Sequence, residues 1–167
     1  MIDTGRIFRE VLNQYALPVR GRHGVVHWAR VLENGLRLAE RTGANVAVVT
    51  LFALFHDSRR INEHMDDGHG LRGGEFARAL RTRLFELNDP DFELFFEACR
   101  YHTDGQTDGD VTLQTCWDAD RLDLGRVGIT PKPDLLCTDA ARSLINWANQ
   151  RAVSGYEPEL VPKIWGL

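Results

Sequence analysis

Cysteine is scarce in this 167-residue chain, and the three that occur, Cys99, Cys116 and Cys137, are widely spaced. An odd number with no Cys-x-x-Cys pair argues against a disulfide framework and against a structural zinc site built of thiolates. Three reduced thiols in a reducing cytoplasm are the expectation. Long apolar runs are missing too. The most apolar stretch, Val46 to Phe55, is about half of the ~20 residues a bilayer-spanning helix needs. It reads as a buried core helix, and no membrane partner is expected. The first residues, Met1 to Arg6, lack the charged-then-apolar order of a secretory signal. Positive charge is not in excess either: 20 Lys and Arg against 24 Asp and Glu leave a net charge of -4. That balance disfavours an extended nucleic-acid surface but permits a local basic pocket around a phosphate. With no internal repeat, low-complexity tract or linker-like break, residues 1–167 read as one domain.

What is present is helical periodicity almost from end to end. Ile7, Val11 and Leu12 suggest a short first helix, ended by the Leu17-Pro18 step. From about Val25 to Thr42, apolar Val25, Trp28, Val31, Leu32, Leu36 and Ala39 recur at helical spacing, and Gly43 is a good stop. Asn45 can cap a helix through Phe55 that is too apolar on all sides to be exposed. Ser58 to Gly74 is polar and glycine-rich, so it reads as a loop or broken helix, with helix resuming from about Glu75 to Leu87. Asn88-Asp89-Pro90 opens another helix to Tyr101. Further helices are expected from Cys116 to Leu124 and from Asp139 to about Ala152. No hairpin signal interrupts them. The fold class read from the sequence is all-α.

The sharpest chemical signal is metal binding. His56 and Asp57 sit where the most apolar helix runs out, and a buried helix end carrying imidazole and carboxylate must satisfy both; a cation does so at low cost. Late in the chain, Trp117-Asp118-Ala119-Asp120-Arg121-Leu122-Asp123-Leu124 offers three carboxylates on a helix. Asp120 and Asp123 share a face, and Asp118 points to another side. Imidazole with carboxylate oxygen suits Mn²⁺, Fe²⁺, Co²⁺, Ni²⁺ or Zn²⁺ better than a thiolate-seeking metal; Mg²⁺ belongs on the same roster.

Taken in order, His27-Trp28-Ala29-Arg30-Val31, Leu54-Phe55-His56-Asp57 and Ala119-Asp120-Arg121-Leu122 resemble the H…HD…D pattern of the HD-domain superfamily of metal-dependent phosphohydrolases. A lone His-Asp dipeptide carries no weight; the ordered set, each member on its expected helix, does. The resemblance implies an HD-like helical bundle with a metal-site core at about 23–124 and a helix at about 139–152 packed on it. It implies that His27, His56, Asp57 and a late aspartate bind one divalent ion. Asp120, directly after a small residue, is preferred as that aspartate, with Asp118 as the alternative or a group orienting a ligand. His69 and His102 resemble the further histidines with which some relatives hold a second metal or a substrate phosphate, and Arg72 lies beside them in the loop.

The activity implied is hydrolysis of a small phosphorylated substrate, a nucleotide or a phosphomonoester or diester, by a metal-activated water. Asp57 would orient the water or bridge a second ion, His102 or His69 would protonate the leaving oxygen, and Arg60 and Arg72 would neutralise developing charge. A di-iron oxygenase of the same fold and a non-catalytic metal- or ligand-binding module are the competing readings. Among the remaining histidines, His23, four residues before His27, reads as surface or as a group behind a ligand, and His64 reads as an exposed loop side chain. Trp28, Trp117 and Trp147 fit helical periodicity as core, as do Phe92, Phe95 and Phe96.

Overall fold

The most apolar segment of the sequence becomes the centre of the molecule. In the computed structural model, which describes residues 2–167, Val46–Phe55 is a helix in which every residue from Val48 onward is buried. Met1, the first residue of the expected domain, lies outside the described residues. The elements run α1 (Thr4–Asn13), α2 (Val25–Thr42), α3 (Val46–Phe55), α4 (His69–Leu80), α5 (Asp89–Tyr101), α6 (Val111–Arg121) and α7 (Asp139–Val153). Short helical turns occur at Leu124–Val127, Pro133–Leu135 and Val161–Trp165. The described residues contain no strand, only an isolated bridge between Arg81 and Phe85. The fold is all-α.

α3 starts because the Asn45 side chain accepts from the Ala47 and Val48 N–H groups. It then buries Leu51, Phe52, Leu54 and Phe55, each worth about 1.5–3 kcal/mol relative to exposure. Helices α1, α2, α4, α5 and α6 all pack against it. The buried apolar residues of all seven helices join in one cluster. α2 ends at Gly43, whose φ of 74° is the left-handed conformation that lets its N–H return to the Ala39 carbonyl. Near the C-terminus, Trp165 stacks on Phe8 with ring centroids 4.2 Å apart. Trp147 departs from the expected core position: it is half-buried, between the guanidinium groups of Arg37 and Arg151. None of the described helices is long and apolar enough to cross a membrane.

Four helix boundaries differ from the sequence expectation, and one of them builds the site. The glycine-rich segment expected as loop is helix from His69 onward. Its glycines permit contact rather than flexibility: a Cβ at Gly70 would lie 2.0 Å from the Cys99 carbonyl oxygen, and one at Gly73 would lie 2.3 Å from the Phe55 carbonyl oxygen. α4 therefore packs backbone-to-backbone on α5 and on the end of α3, which carries His69 in over Asp57. The same helix stops at Leu80, short of the expected Leu87, because Arg81–Phe85 forms a turn that sends Phe85 into the core. Thr82 holds a φ of 69° there. α6 begins at Val111, earlier than expected, because Asp110 caps it through the Thr112 N–H, and it ends at Arg121.

Candidate metal centre

Four side chains from three places in the chain meet under one opening. His27 comes from the first turn of α2, His56 and Asp57 follow the last turn of α3, and Asp120 lies in the last turn of α6. His27 Nε2 stands 3.1 Å from His56 Nε2, 3.3 Å from Asp120 Oδ1 and 3.5 Å from Asp57 Oδ2. His56 Nε2 lies 3.7 Å from Asp57 Oδ2 and 3.8 Å from Asp120 Oδ1. Ligand atoms around one ion with bonds of about 2.0–2.2 Å stand roughly 2.8–3.6 Å apart, so these separations are close to those of a coordination shell.

The proton positions make the case stronger. His27 Nδ1–H donates to Asp123 Oδ2 at 2.7 Å, and His56 Nδ1–H donates to the Phe52 carbonyl at 3.0 Å. His69 Nδ1–H donates to the Asp66 carbonyl at 2.6 Å, and His102 Nδ1–H donates to the Cys99 carbonyl at 2.7 Å. A carbonyl or carboxylate only accepts, so each Nδ1 carries a proton and Nε2 is the atom that each ring turns inward. The four Nε2 atoms then face one another in pairs, His27 with His56 at 3.1 Å and His69 with His102 at 3.0 Å. Two unprotonated Nε2 atoms at that distance repel, so a proton or a metal ion has to lie between them.

The second pair forms its own cluster with the other oxygen of Asp57. Asp57 Oδ1 lies 3.0 Å from His69 Nε2 and 3.6 Å from His102 Nε2, and it is buried without a hydrogen-bond donor. Asp57 thus faces both clusters, one oxygen to each. Donors in each cluster are close enough to share one ion, and all three residues in either trio, His27, His56 and Asp57 or Asp57, His69 and His102, are buried. Arg60 joins the second cluster only, with Nη1 at 3.1 Å from His69 Nε2 and 3.5 Å from Asp57 Oδ1.

The ionisation states follow from this crowding. Burial alone would raise the Asp57 pKa, yet the histidines around it hold it well below the usual carboxylate range. Burial also opposes the charge of Asp120, but His27 and His56 keep it ionised far below its ordinary value. For His27, burial and Arg126 favour the neutral ring, but Asp120, Asp123 and Asp57 outweigh them and push its pKa up to about 9. For His56, burial outweighs the charges of Asp57 and Asp120 and, with His27 and His102, lowers its pKa to about 3. His102 is raised: burial works against its proton, and Asp57 and Asp120 work for it. The cluster is anionic and draws positive charge.

Two residues that the sequence reading left out of the site hold it in place. Asp123 accepts from His27 Nδ1 and, through both oxygens, from Arg30 Nε at 2.6 Å and Arg30 Nη2 at 3.1 Å. This carboxylate–imidazole relay fixes the tautomer and tilt of a ring that offers Nε2. The signal available was the three-residue spacing from Asp120; nothing in the sequence linked it to Arg30, 93 residues earlier. Arg126 lines the opening, its Nε and Nη1 bound to the carbonyls of Arg22 and Asp123.

Two expected site residues stand elsewhere. Asp118 faces away from the cluster and accepts from the Cys137 N–H at 2.7 Å and from the Thr138 N–H and hydroxyl at 2.9 and 2.8 Å. It anchors the start of α7, because two residues along a helix place a side chain on nearly the opposite face. Arg72 is tied to the Arg59 and Asp67 carbonyls and to Asp66 Oδ1 at 2.5 Å, so it braces the loop before α4. His23 sits at the rim of the cavity with Nδ1 2.6 Å from Glu63 Oε2, and His64 is exposed.

Neither a protein-family model nor a curated protein matches the chain. A solved structure does: a predicted HD superfamily hydrolase from an uncultured Thermotogales bacterium superposes with a TM-score of 0.66 at 24% identity. The match covers 90% of this chain and 86% of that one. At that identity it establishes a shared fold: this chain has the HD-like helical fold, and it carries the buried His/Asp cluster where the H…HD…D order leads one to look.

Proposed function

We infer that the chain is a metal-dependent phosphohydrolase, with His27, His56, Asp57 and Asp120 as the ligands of one divalent cation and residues 1–167 acting as one domain. The observation that carries this reading is the inward set of Nε2 atoms and carboxylate oxygens at 3.1–3.8 Å. When bound, a divalent ion would supply Lewis-acid polarisation of a phosphoryl oxygen and a nucleophilic water at neutral pH. His27 and His56 are oriented for that ion by Asp123 and by the Phe52 carbonyl. Asp57 shares its carboxylate, one oxygen toward the ion and one toward His69 and His102.

The second cluster is read as the proton-handling side. Arg60 already brings one positive charge to it, which lowers its need for an ion and leaves a guanidinium to meet phosphoryl charge. His102 lines the cavity with Nε2 turned toward Asp57 and His69, placed to pass a proton to the leaving oxygen. In the overall reaction water adds to phosphorus, the ester P–O bond breaks, and the alcohol departs with a proton.

The test is elemental analysis of the purified chain, coupled to phosphate release from nucleotides and phosphomonoesters with Mn²⁺, Ni²⁺, Co²⁺ and Mg²⁺. About one bound ion per chain and metal-dependent phosphate release are expected. Two irons per chain with visible absorption would replace this reading with a di-iron oxygenase. Bound metal without turnover of any ester would leave a binding module.

A further inference from the structure

The cavity over the two clusters has walls of two kinds. Its floor is ionic, made by Asp57, His102 and Asp120. Its outer wall, from the segment between α6 and α7, is largely aliphatic, with Leu124, Ile129, Leu135 and Leu136 beside Arg126, Thr130 and Lys132. The cavity volume of about 470 Å³ lies in the range of small-molecule sites.

The aliphatic wall is fixed in place. Arg121 donates to the Leu135 carbonyl at 3.0 Å and to the Gln106 carbonyl at 2.6 Å. Asp118 holds Cys137 and Thr138 by their N–H groups, and Leu136 between them and Leu135 is buried. Yet Ile129 and Leu135, on the same segment, remain 51% and 56% exposed at the cavity mouth. Anchored branched side chains half in water beside an ionic floor offer area that an apolar group on a phosphate would cover.

We propose that the substrate is the phosphate monoester of an aliphatic alcohol, its phosphate on the ionic floor and its carbon chain along Leu124, Ile129, Leu135 and Leu136; this rests on the phosphohydrolase reading above. Each methylene that such a wall takes out of water is worth roughly fourfold in kcat/KM. A nucleobase in the same place would set most of its donors and acceptors against hydrocarbon, where they lose water, with Arg126, Thr130 and Lys132 the polar side chains of that segment. Hydrolysis forms a bond from water oxygen to phosphorus, breaks the bond from phosphorus to the alcohol oxygen, and yields the alcohol and inorganic phosphate.

The experiment uses the full chain loaded with Mn²⁺, Co²⁺ or Ni²⁺ and a series of n-alkyl phosphates from ethyl to hexyl, beside 5′-nucleoside monophosphates. Inorganic phosphate is the readout, and binding of the matching n-alkylphosphonates is measured by calorimetry. The expected result is kcat/KM rising roughly fourfold per methylene, and hexyl phosphate ahead of the nucleotides. Leu135→Asp and Ile129→Asp, at exposed positions, should cut the hexyl-to-ethyl ratio at least tenfold while the thermal melt shows a folded chain. Turnover with no dependence on chain length, or nucleotides preferred, overturns the substrate class and leaves the hydrolase reading standing. Phosphonate affinity that climbs with chain length while no ester turns over keeps the ligand class and overturns the hydrolase reading. Phosphonates bound without any such climb sink the proposal outright.

Discussion

The two clusters that share Asp57 differ in where their positive charge comes from. On one side, His27, His56, Asp57 Oδ2 and Asp120 Oδ1 converge with no Lys or Arg nitrogen among them, and His27 answers the accumulated negative charge with a pKa of about 9. On the other, Asp57 Oδ1, His69 and His102 have Arg60 Nη1 within 3.5 Å. Donor geometry alone would assign an ion to each trio. Charge separates them: the side without a built-in cation has the greater need of a foreign one, and the side with Arg60 is better suited to passing protons. Similar ligand sets two histidines wide can therefore serve different steps, and their difference is set by one neighbouring side chain.

The largest break in that comparison is removal of the residue common to both. Asp57→Ala is expected to lose the bound ion and at least a thousandfold of phosphate release, roughly the scale of losing metal-assisted water activation, with helix content by circular dichroism retained. Full metal content by elemental analysis would refute the assignment. His102→Ala and His69→Ala should keep about one ion per chain and lose roughly 10²–10⁴-fold in turnover, the usual range for a proton donor and its support. If either variant instead drops the count from two ions to one, the second cluster is a metal site and the contrast collapses.

Smaller changes sharpen the first side. Asp123→Asn leaves His27 in place with a weaker partner and should lower metal affinity roughly 10–100-fold, read by chelator competition. Asp118→Ala removes the acceptor of two backbone N–H groups at the start of α7 and should lower stability by about 2–4 kcal/mol in urea melts, with metal content unchanged. Metal loss in that variant at temperatures well below its melt would reinstate Asp118 near the site. The smallest effect concerns the thiols. Burial raises Cys137 to about 12, so native protein at pH 8 should alkylate there more slowly than a free cysteine does. Cys99 and Cys116 are raised by burial as well and should label only on unfolding.

Much of the fold was legible because its signals are local. The 3.6-residue spacing and Gly43 bounded α2, and Asn45 opened α3. The polar pair at the end of a wholly apolar helix marked His56 and Asp57 from composition alone. What escaped depended on partners distant in sequence. Gly70 and Gly73 look like loop residues until the Cys99 and Phe55 carbonyls stand against them. Choosing between Asp118 and Asp120 required knowing which face of α6 meets the cluster, and a helix buried on several sides does not advertise that. Arg72 was a reasonable guess as a phosphate-binding cation near a histidine loop, but a long side chain follows whichever carbonyls it can reach. Arg30 gave no sign at all, being hidden at the helical spacing of its own α2.

The division of labour along α6 has a mechanical consequence. One carboxylate on this helix pegs the start of α7, and two residues further on another stands among the donors of the cluster. The helix is in effect an axle fixed at both rims, so it cannot roll to reseat α7 without swinging Asp120 through the coordination space. The packing of α7 on the turn after α6, which itself lines the cavity through Leu124 and Arg126, therefore bears on the aperture of the site. Substitutions on the buried face of α7, at Ala141 or Leu144, reach the chemistry through that alignment while touching none of its atoms.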